Sequence, residues 1–168
     1  MLYFAYASCM DEDSFKETMG ENNYSIWGAA KLIGYRLAFT RYGERRQGGI
    51  ADVIVSPGDE VEGVLYWVRP QALARLDERE GVPHGIYQRE NIQLWWNNNQ
   101  VGAMTYTVVN KEEYEQVPHV DYARLILNGA ERHLSESYRY RLIQEWKDRL
   151  HFDWEVEQQR EETEVEEK

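Results

Sequence analysis

Two short segments carry residue types that could share one site. Tyr3-Phe4-Ala5-Tyr6-Ala7-Ser8-Cys9 runs from apolar residues into small ones, the pattern of a strand ending in a tight turn. Backbone amides in such a turn can donate to a developing negative charge. The second segment is Leu76-Asp77-Glu78-Arg79-Glu80-Gly81-Val82. Its Gly81 is a natural helix stop, and Asp77, Glu78 and Glu80 crowd the turns before it, opposed by Arg75 and Arg79. A helix C-terminus favours cations, so a carboxylate there is destabilised by roughly 0.3–1 kcal/mol and its pKa rises. That suits a general base working near neutral pH. The spacing leaves the three acids equivalent, and solvated acids at a surface helix end are the plain alternative. On periodicity alone Tyr3, Phe4 and Tyr6 read as core strand residues.

These segments need elements to hold them together. Met1–Ala7 predicts a buried strand. Asp11–Asn23 is polar and loop-like, with one helical turn around Ser14–Met19. Tyr35–Thr40, Ile50–Val55 and Glu62–Val68 each predict a strand. Ser56-Pro57-Gly58-Asp59 predicts a turn between the last two, because Pro presets φ and Gly permits positive φ. Pro70 opens a helix carrying Ala72, Leu73 and Leu76 on one face. Ile86–Trp96 and Val101–Val109 predict a hairpin across Asn97-Asn98-Asn99-Gln100. Tyr122–Leu127 predicts a helix ended by Gly129, and Tyr138, Leu142, Trp146 and Leu150 form one face of another, with Ile143 beside it. Strands early and helices late predict an α+β fold: one domain, a small mixed β-barrel of six or seven strands flanked by helices.

The 168 residues, 42% hydrophobic and 13% aromatic, suffice for a packed core. A formal net charge of −11 disfavours nucleic acid and anionic membrane as partners. Residues 155–168 carry seven Glu against Arg160 and Lys168, a net of −5, and predict a solvated tail following a domain at 1–154. Cys9 is the only cysteine, so no internal disulfide forms. With no signal-like start and no run of ~20 apolar residues, the expectation is a cytoplasmic protein without a membrane partner.

Further segments accompany the first two in a fixed order: Gly48-Gly49-Ile50-Ala51, Ser56-Pro57-Gly58-Asp59-Glu60-Val61, Gly63-Val64, Gly85-Ile86-Tyr87, Tyr114-Glu115, Tyr122 and Gly129-Ala130. This set, spanning Tyr3 to Trp146, resembles the gamma-glutamylcyclotransferase family. The resemblance implies an intramolecular acyl transfer on a small γ-glutamyl substrate. The α-amine attacks the substrate's own γ-carbonyl, closing 5-oxoproline and expelling an amine or amino acid. A tethered nucleophile exploits a large effective molarity, worth roughly 7–11 kcal/mol in the best cases. No metal or organic cofactor is implied. By the same resemblance Glu80 is base and then acid, and Tyr3, Phe4, Ala5, Tyr6, Ala7 and Ser8 line the substrate pocket, their amides supplying oxyanion donors. Tyr122 and Tyr87 contact the substrate, and a homodimer is plausible. Two residues depart from the family pattern: Ala7 stands where Gly is common, and Cys9 where Asn is common. If position 7 needs positive φ, Ala costs on the order of 1 kcal/mol. These departures motivate one alternative, a non-catalytic module keeping the pocket for a small ligand. Another is a pathway-specific enzyme that removes a γ-glutamyl protecting group.

Other constellations are weaker. Cys9 after a tight turn invites a nucleophile, with His84, His119, His133 or His151 as base, but none has a motif context. No H-x-x-x-H or C-x-x-C pair suggests a metal, and Gly48-Gly49 lacks phosphate-loop spacing. Arg41, Arg45 and Arg46 form a basic cluster in a loop, able to recognise a substrate carboxylate. Trp95-Trp96 alternates faces in a strand, placing one ring outward for a dimer contact or a bulky substrate.

Overall fold

The computed structural model describes residues 1–166. Five strands close a mixed barrel: β1 (Leu2–Ala5), β2 (Tyr24–Gly43), β3 (Gly48–Val68), β4 (Tyr87–Trp96) and β5 (Asn99–Val108), in the spatial order β1-β3-β2-β4-β5. Closure comes from β1, which pairs antiparallel with β3 and parallel with β5 at Tyr3–Met104. The wall therefore surrounds the N-terminal strand with partners on both edges, and no edge of β1 is left unpaired.

The strand count is five rather than six or seven, and the reason is local. β2 and β3 are single strands of 20 and 21 residues, bent by three register shifts. Between the pairs Ile33–Glu60 and Tyr35–Val55, β2 contributes only Gly34 while β3 contributes Ser56–Asp59. The Pro-Gly turn chemistry is thus realised as a large bulge inside β3, where the strand bends without leaving the sheet.

The β4–β5 hairpin follows the sequence expectation. Its turn residues Asn97 and Asn98 have φ of 47° and 61°, both left-handed as a two-residue hairpin turn with the right twist requires. Trp95 is exposed and Trp96 is half-buried, its ring 5.0 Å from that of Trp27.

Among the described residues, five α-helices flank the barrel. α1 (Glu12–Met19) is a full helix where one turn was expected; the Asp11 carboxylate caps it by accepting from Ser14 N at 2.9 Å. A 3-10 turn at Pro70–Ala72 leads into α2 (Leu73–Arg79), which ends with Gly81 at φ 67°. α3 (Val120–His133) runs through Gly129 instead of stopping there. A Cβ at Gly129 would lie 2.5 Å from Met10 Cβ, so this glycine lets α3 approach the N-terminal turn closely. α4 (Glu136–Leu150) buries the expected Tyr138, Leu142, Trp146 and Leu150. Trp146 meets Phe39 edge-on at 5.4 Å, seating α4 on β2. The acidic run from Glu155 lies in α5 (Trp154–Glu166), whose first residue, Trp154, is buried. The last two positions of the expected tail, 167 and 168, lie outside the described residues. Among the described residues no helix is long and apolar enough to cross a membrane.

Candidate active site

Tyr3, at the centre of β1, is buried, with its ring stacked 6.0 Å from Phe15 and edge-on to Tyr106 at 5.8 Å. β1 ends at Ala5, and Ser8–Met10 form one 3-10 turn closed by Met10 N donating to Ala7 O at 2.9 Å. The first N–H groups of such a turn have no carbonyl partner within it. Ala7 has φ −133°, so the position that raised concern about left-handed strain carries none.

Glu80 caps the C-terminus of α2 (φ −80°, ψ −2°), and its side chain is 17% exposed. The Cys9 thiol donates to Glu80 Oε1 at 3.4 Å, and Arg79 Nε lies 3.9 Å from the same oxygen. Burial pushes the Glu80 carboxyl above the usual carboxylate range; Arg79, the Cys9 hydrogen bond and Arg46 pull the other way. The direction matches the expectation from the helix end, but the principal cause is desolvation.

The three acids left equivalent by spacing have different fates. Asp77 receives a fork from Arg89, at 2.8 and 2.6 Å, and the Tyr106 hydroxyl at 2.8 Å. Arg89 is the main cause that holds its carboxyl low. Glu78 is exposed. Only Glu80 meets the N-terminal turn.

A pocket, partly open to solvent, is lined by Tyr3, Tyr6, Ala7, Ser8, Cys9 and Glu80, and further by Ala51, Tyr87, Tyr106 and Tyr122. Seven of the nine residues expected at the site therefore meet there. Phe4 and Ala5 do not line it. Strand alternation turns Phe4 to the opposite face from Tyr3, where its ring packs over Gly63. Ala5 is paired to Val64 and presents only a buried methyl.

Three tyrosines, from the turn after β1, from β4 and from α3, converge on the backbone of Ala51. Tyr87 Oη donates to Ala51 O at 2.6 Å, and Tyr6 Oη donates to Tyr106 O at 2.6 Å and reaches Ala51 O at 3.5 Å. Tyr122 Oη accepts from Ala51 N at 3.2 Å, which leaves its own proton for another acceptor. Burial raises the Tyr122 hydroxyl to about 12, and raises Tyr3, Tyr6 and Tyr87 well above the ordinary phenol value. All four remain neutral donors at physiological pH.

Sequence reasoning missed Ala51 and Tyr106 as wall residues, and Arg79 as a support of the site. Ala51 sat inside a quoted motif, yet its role comes from its backbone, which no side-chain pattern reports. The Cys9 nucleophile expectation fails on geometry: burial pushes its thiol up to about 12, and no histidine lines the pocket. His119 instead caps α3, and His133 faces Glu12 at 3.0 Å. Among the described residues no cluster of three or more His, Cys, Asp or Glu could hold a metal ion.

A buried carboxylate among tyrosines, in a pocket walled by strands of a closed barrel, is an arrangement suited to acid–base chemistry in a small-barrel protein. Comparison with known proteins narrows that class. The AIG2-like family model matches residues 60–142. Over 149 residues the chain is 32% identical to the gamma-glutamylcyclotransferase of Mus musculus, covering 84% of this chain and 76% of the mouse protein. It is 31% identical over 134 residues to the Homo sapiens gamma-glutamylcyclotransferase, covering 77% and 69%. A solved gamma-glutamyl cyclotransferase structure superposes with a TM-score of 0.78 at 28% identity, over 84% of this chain and 85% of that one. The chain belongs to the gamma-glutamylcyclotransferase family.

Proposed function

We propose that this enzyme cyclises a γ-glutamyl amide to 5-oxoproline, with Glu80 as its proton carrier. The observation that carries the proposal is the enclosure of the Glu80 carboxylate against the N-terminal turn, 3.4 Å from Cys9 Sγ. The space beside it is a small cleft, partly open to solvent and walled largely by tyrosines. The glutamyl group is proposed to occupy that cleft, with the leaving amine projecting from its mouth.

The substrate's α-ammonium gives a proton to Glu80, which frees the lone pair for attack on the γ-carbonyl carbon. The new N–C bond closes a five-membered ring, and the carbonyl oxygen takes the electron pair. Tyr122, whose hydroxyl proton is uncommitted, and the amides of Ser8 and Cys9 are the proposed donors to that oxyanion. As the carbonyl re-forms, the bond to the leaving nitrogen breaks and Glu80 returns its proton there. In total two protons leave the α-nitrogen and two reach the expelled amine. One carboxylate that accepts and releases in turn can carry both. A base whose pKa lies above that of an ordinary carboxylate is better matched to this exchange.

Tyr3, Tyr6, Ala7 and Ser8 are proposed as the pocket wall around the glutamyl chain, and Tyr87 as the residue that fixes the Ala51 peptide. The test is Glu80→Gln, which keeps the shape and removes the base. Release of 5-oxoproline from γ-glutamyl amino acids should fall roughly 10²–10⁴-fold while calorimetric binding of the same substrates persists. Undiminished turnover would remove Glu80 from the mechanism.

A further inference from the structure

Arg46 has no role in the steps above, yet it leans over the pocket. It belongs to the turn between β2 and β3 and is half-buried. Its Nη2 donates to Ser8 Oγ at 3.4 Å, and its guanidinium carbon lies 4.7 Å from the centroid of the Tyr122 ring. Ser8 and Tyr122 both line the pocket. Among the described residues, no carboxylate lies within ion-pairing distance of Arg46. The chain has 30 acids against 19 Lys and Arg, so an unpaired guanidinium at a pocket rim is conspicuous.

Arg79, the neighbouring guanidinium, is occupied. Its Nη1 donates to Ser14 O at 2.8 Å and Thr18 Oγ1 at 2.6 Å, and its Nη2 to Ser14 Oγ at 2.9 Å and Ser8 Oγ at 3.3 Å. Its Nε faces Glu80 at 3.9 Å. Arg79 faces Glu80 directly, while Arg46 acts on Glu80 only at longer range and keeps its guanidinium donors clear of any carboxylate contact among the described residues.

Position decides which ligand group that charge meets. Ring closure takes place beside Glu80, in the enclosed part of the pocket. A leaving group that extends from there past Ser8 and Tyr122 comes within reach of the guanidinium that touches both. We propose that Arg46 is a specificity-determining residue that binds the carboxylate of the leaving amino acid, favouring γ-glutamyl amino acids over γ-glutamyl amines. This rests on the cyclotransferase reading given above. A guanidinium whose only polar side-chain contact is one long bond to a neutral hydroxyl retains donors for a charge-assisted, two-pronged contact with a carboxylate.

The test compares γ-glutamylglycine with γ-glutamylethylamide, in which a methyl group replaces the leaving-group carboxylate. Release of 5-oxoproline gives kcat/KM for both substrates with wild type, Arg46→Ala and Arg46→Lys. Wild type should prefer γ-glutamylglycine, and Arg46→Ala should lower that preference on the order of tenfold, mainly through KM. Arg46→Lys should retain part of it, since it keeps the charge and loses the fork. A preference unchanged by Arg46→Ala overturns the proposal, as does an equal loss on both substrates, which would assign Arg46 to the glutamyl α-carboxylate or to folding. If wild type releases 5-oxoproline from neither substrate, the cyclotransferase reading fails and this inference with it. Turnover of both substrates with a preference indifferent to Arg46 sinks only the inference.

Discussion

The Cys9 thiol donates to Glu80 Oε1 across 3.4 Å, tying the N-terminal turn to the end of α2. This contact joins the two segments that the sequence keeps far apart. It also stabilises the ionised form of Glu80 against the burial that opposes it.

The raised pKa of Glu80 makes a statement about stability. The folded protein holds the Glu80 proton to higher pH than the unfolded chain does, so stability is greatest below the unfolded value and is lost as pH rises through the folded one. Glu80→Gln does not titrate. Wild type should therefore lose thermal stability relative to Glu80→Gln as pH rises from 4.5 through the folded pKa. Melting temperatures of the two proteins across that window check the sign; a gap that narrows in the opposite sense contradicts the raised value. Activity limited by the same group should fall as pH drops through it.

Cys9→Ala removes the thiol donor. The Glu80 pKa should rise further, moving the acidic limb of the kcat/KM profile to higher pH while turnover at its plateau survives. In the native wild-type protein the thiol should resist iodoacetamide near neutral pH, because it is buried and its pKa is pushed up to about 12. Rapid alkylation with loss of activity would revive a nucleophilic role.

Tyr122→Phe deletes the uncommitted hydroxyl proton and the acceptor for Ala51 N. Removing one oxyanion donor typically lowers kcat by about 10²–10³. Tyr87→Phe instead removes a bond to Ala51 O, with an expected loss of ~0.5–1.5 kcal/mol of stability and a smaller kinetic effect. Steady-state kinetics paired with urea unfolding separates the two. Equal kinetic losses would show that both tyrosines only shape the Ala51 peptide.

Gly129→Ala places a methyl 2.5 Å from Met10 Cβ and 2.7 Å from its carbonyl carbon. Because backbone is involved, α3 or the N-terminal turn must shift, and overpacking of this kind costs typically ~1–3 kcal/mol. Tyr122 lies on the same helix, so activity should fall with stability. A variant as stable as wild type would argue against the close packing of α3 on Met10.

Much of this protein is legible in one dimension. The α4 face follows from 3.6-residue spacing, the β4–β5 turn from two asparagines that tolerate positive φ, and the end of α2 from Gly81. Those signals are local, and each is complete within a few residues. The strands on either side of Ser56–Asp59 read as separate because turn chemistry does not distinguish a chain reversal from a bulge; only pairing with β2 does so. Gly129 reads as a stop because the contact that requires it comes from Met10, distant in sequence.

The site divides in the same way. Residue types and order pointed to Glu80, Tyr122 and the N-terminal turn through family likeness, while spacing left Asp77, Glu78 and Glu80 interchangeable. The distinction between them is desolvation and partner choice: Arg89 and Tyr106 take Asp77, solvent takes Glu78, and the barrel encloses Glu80 beside Cys9. Burial and neighbouring charge are properties of three-dimensional position, so no pattern along the chain could assign them. The same holds for Arg46, one of three loop arginines by sequence, which the β2–β3 turn alone brings across Tyr122.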